Sequence, residues 1–545
     1  MSVGLRARVG GWTRWRPADP ATMAGGLAAV MAAVALYTRF SINGRLWRDE
    51  SIYVYGAQRF AHGVPPYASI FDPKAPLATL LGGFVALLAR GLGLNDIKGI
   101  RLEFFVFSVL TVLAIYVLAK RLWSSVPAAV LGAVVFVSFP IFAEDAIGGP
   151  DAKTPAILAA VVSMWLLIER RWFSAGVATA LTVLVWQPLF ILPIAALVLP
   201  WVNSDPETRR RALARAGAGI ALPAVLVSIY FLATGAFGKF IEATVVFPLT
   251  GNHRVPFSVH ERITHMTHLI RIAYGPLESL LVGLGLLAFV ALAVATLVSG
   301  RRDMRNTLRH PLICVGLFTF IGVVGFLFYY DFQGAPDTLA LTPYAALGIS
   351  GVAGTAFRAV RKRPRVSRSA MVLVLAAAAV LAGSRWGAFA HRWNNNHLLL
   401  NEYSDACGIE RVLGSTGSLY ALGDPTPLAL MHRVNPDRYI YLEENVSGWK
   451  IKHTAGGFDG WVSQIRAADP SVIVLQLWYD ANARRMKAAL HAMGYTSGYV
   501  GDWHLLLSPA AKAQAATSRV QLTAYPTKVA KDLDGNRLPR RNCSA

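Results

Sequence analysis

The sequence predicts a polytopic α-helical membrane protein carrying a small α/β domain outside the membrane. Three observations carry this. Of 545 residues, 54% are hydrophobic and 15% are charged, against about 25% charged in a soluble domain. Apolar runs of spanning length recur from residue 24 to residue 388, with basic clusters between them. Beyond about residue 390 the apolar runs shorten to strand length and alternate with helical stretches.

The basic N-terminus, residues 1–23, holds Arg6, Arg8, Arg14 and Arg16 and leads into an apolar run, 24–42, without a small-residue cleavage site. It reads as a retained first span with a cytoplasmic N-terminus. The net charge of +22 is spread over short clusters and forms no single patch, which sets nucleic acid aside as a partner. Three cysteines are too few for a disulfide scaffold or a zinc site. Cys314 falls in a helix; Cys407 and Cys543 fall in the outer compartment, where a pair and two free thiols are both open.

Further apolar segments lie near 76–94, 101–119, 126–143, 155–168, 173–201, 213–235, 276–299, 311–330, 338–357 and 370–388. The basic clusters are the N-terminus, Lys120-Arg121, Arg170-Arg171, Arg209 to Arg211, Arg301 to Arg309, and Arg358 to Arg368. If all are cytoplasmic, an odd number of passes must separate the first from the second. One of 76–94 and 101–119 therefore does not span. The first follows Pro76, carries Gly82, Gly83, Gly91, Gly93 and Arg90, and reads as an interfacial helix on the outer face. The same parity breaks 173–201 at Gln187-Pro188 into two short helices. About eleven spans result, within a membrane domain of residues 24–390 whose first outer loop is 43–100.

In the outer domain, 391–510, Leu419–Gly423, Tyr439–Leu442 and Val472–Leu477 read as strands, and 457–468 and 480–493 as helices. Residues 511–545 are polar and basic without an apolar period and read as a flexible tail.

This topology gathers polar residues on the outer face. The first loop holds Asp49-Glu50, Tyr53, Gly63 to Tyr67, and Asp72-Pro73-Lys74-Ala75-Pro76. The next holds Glu144, Asp145 and Asp151; a later one, 236–275, holds Lys239, His253, Arg254, His260, His265 and His268; the last holds Tyr329-Tyr330-Asp331 and Asp337. Charge near the membrane is costly unless paired or functional. Carboxylates from two loops can share a divalent cation, one can take a proton from an attacking hydroxyl, and Lys74 suits a lipid phosphate. Each group also has a plain reading. Asp49 can cap a helix, Glu144-Asp145 can open one, Lys74 and Arg90 can snorkel, the histidines can be solvated, and the tyrosines can form an interfacial belt. No GxxxxGK[ST] loop or Rossmann fingerprint occurs, and Asp532-Leu533-Asp534 lies in the outer tail, away from nucleotide sugars. A substrate activated as a lipid phosphate is the economical alternative.

At these residues the chain resembles the GT-C glycosyltransferases, in the branch of the protein O-mannosyltransferases and the aminoarabinose transferases of lipid A. That branch carries an Asp-Glu pair after the first span, a Tyr three residues on, Gly-x-x-Pro-Tyr, and an acidic residue before Lys-x-Pro. The resemblance covers roughly residues 24–200 and is topological beyond. Ala75 departs from the frequent Lys-Pro-Pro. It implies transfer of a single sugar, mannose or arabinose, from polyprenyl phosphate to a glycan, lipid or protein acceptor on the outer face, with inversion. Asp49 would activate the acceptor, Glu50 would orient it, and Lys74, with Tyr53, Tyr67 and Asp72, would hold the donor phosphate. Asp151 would be the second acidic site, with Glu144 and Asp145 as competitors. A divalent cation, magnesium or manganese, would lie at Asp49 and His253. The competing readings are a lipid-linked glycan transporter and a glycan ligase.

Overall fold

The computed structural model describes residues 19–46, 48–250, 258–330, 334–360, 363–392, 398–443 and 445–526. The N-terminus up to residue 18, His253, Arg254, Asp331, the Asp532–Asp534 motif and Cys543 lie outside them.

The first helix, α1 (Pro20–Tyr37), starts at Pro20 and is capped by Asp19, whose side chain accepts from the Thr22 amide. A short loop leads to α2 (Arg48–Ala61), then α3 (Leu77–Gly91) and α4 (Asp96–Trp123). Asn95 caps α4, and Ser124 ends it in the left-handed conformation. Next come α5 (Val126–Val137), α6 (Pro140–Gly148), α7 (Lys153–Ile168), α8 (Trp172–Val185), α9 (Ile191–Asn203) and α10 (Pro206–Ala233). The short α11 (Phe237–Ile241) and α12 (Phe247–Thr250) flank one π-helical turn, and α13 (Val259–Ser299) and α14 (Met304–Leu308) follow. The membrane part closes with α15 (Phe318–Tyr330), α16 (Thr342–Val360) and α17 (Pro364–Arg392).

Among the described residues, seven helices are long and apolar enough to cross a membrane: α1, α4, α10, α13, α17 and the segments Leu312–Tyr329 and Ala335–Val360. The run expected as one span at 126–143 is instead α5 and α6, bent by 71° where Pro140 opens the second helix. At 15 residues, α3 is about 22 Å long, short of a bilayer core of about 30 Å. Gln187-Pro188 does interrupt the run 173–201, separating α8 from α9 by one 3-10 turn. The described part of the expected loop 236–275 is largely helical, since α13 begins at Val259 and runs on through a kink at Gly275 (φ 77°).

The C-terminal α/β domain contains α18 (Leu398–Leu413), β1 (Leu419–Leu422), α19 (Thr426–Met431), α20 (Val446–Lys452), α21 (Gly457–Ala468), β2 (Val472–Leu475), α22 (Ala481–Ala492), β3 (Thr496–Val500), β4 (Trp503–Leu507) and α23 (Pro509–Thr517). The sheet order is β1-β2-β4-β3, with β1 and β2 parallel and the other neighbours antiparallel. Three expectations are corrected. Tyr439–Leu442 joins no strand ladder among the described residues: Arg438 accepts from the Phe71 amide and Ile440 from the Gly423 amide. The hairpin β3–β4 stands where no strands were expected, though Gly501-Asp502 between two apolar runs is a two-residue turn signal. The expected tail begins as helix α23, which buries Ala511 and Ala515, and Thr523 bridges back to Tyr499.

Candidate active site

A single buried arginine organises the two acidic loops. Arg101, near the N-terminal end of α4, donates to the carbonyls of Ile42 (2.6 Å), Gly44 (2.9 Å), Arg45 (3.0 Å) and Gly149 (3.2 Å). It thereby fixes the approach to Asp49 and the approach to Asp151 with one side chain. Sequence reasoning treated it as the first residue of a span; a fixed charge at that depth was the available signal.

Helix α2 places Asp49 and Glu50 in its first turn. Asp49 therefore lies inside the helix, and the capping role considered for it is corrected. Tyr53 stands three and four residues on, on the face that both share. Glu50 is buried, and its Oε2 has no hydrogen-bond partner among the described residues. Burial, then the neighbouring Asp145, Asp49 and Asp151, hold this carboxyl well above the usual range, with Arg101 opposing.

Lys74 is set in a braced turn. Its amide donates to Asp72 Oδ1 at 3.1 Å, and its Nζ lies 3.9 Å from the same oxygen. The Tyr67 hydroxyl donates to the Lys74 carbonyl at 2.8 Å. Tyr67 itself adopts φ 65°, a strained conformation for a bulky residue, with its ring against Phe231 and Phe240. Gln187 donates to the Pro73 carbonyl at 2.9 Å and accepts from the Ala75 amide at 3.2 Å. Among the described residues, the Lys74 Nζ has no hydrogen-bond partner and faces the rings of Tyr53 (5.5 Å) and Tyr441 (5.2 Å). Burial alone would push this ammonium down; Asp49, Asp72, Tyr53 and Tyr441 outweigh it and hold it well above the usual lysine value. Burial raises the Asp72 carboxyl, with Lys74 opposing.

The second acidic loop closes on the same space. Asp151 is buried, and Lys153 Nζ lies 3.7 Å from Asp151 and 3.8 Å from Asp337, over the Trp186 ring at 5.7 Å. Lys153 and Asp337 thus join a site in which sequence reasoning had placed Asp151 without them. Asp145 and Glu144 are both half-buried; Asp145 shares the field of Glu50 and Asp151, and its Oδ2 is buried without a hydrogen bond among the described residues. Among the described residues, no three His, Cys, Asp or Glu side chains are placed to hold a cation. His253 lies outside those residues, and His268 is exposed on α13. Lys239 is exposed as well.

A groove of about 600 Å³ shares no residue with this cluster. It is apolar and runs between α13 and α15, lined by Val259, Phe320, Ile321, Val324 and Phe328. Arg262 stands at its edge, donating to the carbonyls of Phe328 and Tyr329.

Residues 74–234 match the family model described as dolichyl-phosphate-mannose-protein mannosyltransferase. No curated protein sequence matches the chain. Among solved structures, the chain is similar to ArnT from Cupriavidus metallidurans in the apo state, with TM-score 0.57 and 12% identity over 89% of this chain and 97% of that one. It is similar also to the same protein bound to undecaprenyl phosphate, with TM-score 0.55 and 13% identity over 88% and 97%. The apo oligosaccharyltransferase of Archaeoglobus fulgidus follows at TM-score 0.50 and 12% identity, over 83% of this chain and 69% of that one. The resemblance carried by Asp49-Glu50 and Asp72 to Pro76 thus extends to the fold: the chain is a polytopic membrane protein with the GT-C architecture that ArnT also has.

Proposed function

We propose that the chain is a membrane glycosyltransferase that moves one sugar from a polyprenyl phosphate to an acceptor hydroxyl on the outer face, with inversion. The observation that carries this reading is the Lys74 ammonium, buried, charged and without a hydrogen-bond partner among the described residues, beside Asp49 and Asp72. A buried cation without a hydrogen bond is costly, and a phosphate oxygen would supply a charge-assisted one. In the reaction, the acceptor oxygen bonds to the anomeric carbon as the bond from that carbon to the phosphate oxygen breaks. The acceptor proton passes to Asp49, and the polyprenyl phosphate leaves with its charge against Lys74. Burial and the neighbouring carboxylates favour the protonated form of Glu50, in which it orients the acceptor or Asp49 as a hydrogen-bond donor. Asp151, held by Lys153, faces the acceptor side. The match of residues 74–234 favours mannose over arabinose as the sugar. The N-terminus is then cytoplasmic and the α/β domain extracytoplasmic.

The test is transfer of radiolabelled sugar from polyprenyl-phosphate-mannose and polyprenyl-phosphate-arabinose in membranes with wild type, Asp49→Ala and an empty-vector control. Product made by wild type and lost with Asp49→Ala, at equal protein level, is the expected result and names the donor. Equal product in all three would remove both donors and favour a lipid-linked glycan transporter or a glycan ligase. Repeating the assay with EDTA, then restoring magnesium or manganese, tests the divalent cation expected at Asp49 and His253.

A further inference from the structure

The α/β domain reaches into the Lys74 site through one irregular segment, Arg438 to Leu442. Its backbone is tied to the first loop: the Phe71 amide donates to the Arg438 carbonyl at 2.7 Å. Phe71 and Tyr439 stack with centroids 4.9 Å apart at 22°. The Arg438 guanidinium donates to the Tyr67 carbonyl at 3.2 Å and to Glu242 Oε2 at 2.6 Å. Glu242 Oε1 also accepts from the Tyr439 hydroxyl and from the Trp449 indole, both at 3.1 Å. One carboxylate on the π-helical turn after α11 thus latches three outer-domain side chains. The latched segment delivers Tyr441, which is 2% exposed and places its ring 5.2 Å from Lys74 Nζ. Tyr53 offers the matching ring from α2 at 5.5 Å.

Resting on the donor-phosphate reading of Lys74, we propose that Tyr441 is a positioning residue of the donor site. Its ring holds the Lys74 ammonium where the lipid phosphate meets it, so the outer domain completes the donor site as well as facing the acceptor. An ammonium against an aromatic face is attracted by the ring quadrupole and keeps its N–H groups available for another ligand. Arg438 and Glu242 act one step further away, by holding the segment against Tyr67 and Phe71.

Binding of a polyprenyl monophosphate to the full chain in detergent micelles tests this, comparing wild type with Lys74→Ala, Tyr441→Leu, Tyr441→Phe and Glu242→Gln. Tyr441→Leu is expected to weaken binding about tenfold, while Tyr441→Phe, which keeps the ring, stays within about twofold. Glu242→Gln keeps its shape but loses charge in the latch and should cost about threefold. Tyr441→Leu binding as wild type at equal monodispersity, or Tyr441→Phe falling as far as Tyr441→Leu, would overturn the proposal. Should Tyr441→Leu fail to fold, unchanged affinity in Glu242→Gln would overturn it instead. Wild type binding no more tightly than Lys74→Ala would remove the phosphate reading of Lys74 itself, and this proposal with it.

Discussion

Gln187 clasps the backbone on both sides of Lys74, giving a hydrogen bond to the Pro73 carbonyl and taking one from the Ala75 amide. The break between α8 and α9 therefore delivers a side-chain amide to the turn that carries the lysine. Ala75, the departure from Lys-Pro-Pro, takes part in the clasp, since a proline there would have no N–H to donate.

Gln187→Met removes both bonds at nearly constant volume. At about 1 kcal/mol for each bond, donor KM is expected to rise between about fivefold and thirtyfold with little change in kcat. Ala75→Pro removes one of the two bonds, so Gln187→Met should cost less in that background than alone. Steady-state transfer kinetics on the two variants and the double variant check this; additive effects would sink the clasp.

Asp49 and Glu50 are adjacent but differ in what they can do. Burial, then Asp145, Asp49 and Asp151, favour the protonated form of Glu50, and Glu50→Gln keeps a neutral hydrogen-bonding group at that position. It is expected to lose less than about tenfold in kcat. Asp49→Asn removes the proposed base and should lose about 10² to 10⁴ in kcat with donor binding retained. Equal losses in the two variants would contradict this division.

The membrane class, the interruption at Gln187-Pro188, the Asp49 to Pro76 motif and the α/β character of the C-terminal part were legible because each leaves a local mark: hydropathy, a proline, a dense polar cluster, strand-length runs. The partners of that motif were not, since they come from remote chain. Lys153 and Asp337 meet only when α7 and the turn before α16 pack together. Tyr441 was read as part of a strand, and its segment instead edges the first loop. Arg101 looked like the first residue of an apolar run because its four carbonyl acceptors belong to loops about 50 residues away on either side.

Arg101→Met should be the most damaging single change away from the proposed chemistry. It leaves the carbonyls of Ile42, Gly44, Arg45 and Gly149 without this donor and Glu50 without its nearby cation. A loss of about 3–5 kcal/mol is expected, read as a lower thermal unfolding midpoint in detergent. Arg101→Lys, with a single ammonium for four acceptors, should fall between Arg101→Met and wild type.

The contact between the C-terminal α/β domain and the first loop predicts a pH dependence of stability. Glu402 on α18 accepts from the Leu46 amide at 2.9 Å and lies 3.3 Å from Arg45. Burial nevertheless pushes its carboxyl up from 4.5 to about 8, with Arg45, the Leu46 amide and Arg101 opposing and Asp424 adding to the rise. Between those two values the folded chain keeps a proton that the unfolded chain has released. Stability from this group is therefore fully present below about pH 4.5 and lost as pH rises through about 8. Glu402→Gln keeps the acceptor for Leu46 but cannot ionise, so its unfolding midpoint should fall less than wild type's between pH 5 and pH 8.5. The informative quantity is the difference between the two proteins across that window, because other groups titrate in both. Parallel curves would show that Glu402 ionises in the folded state as it does in the unfolded one.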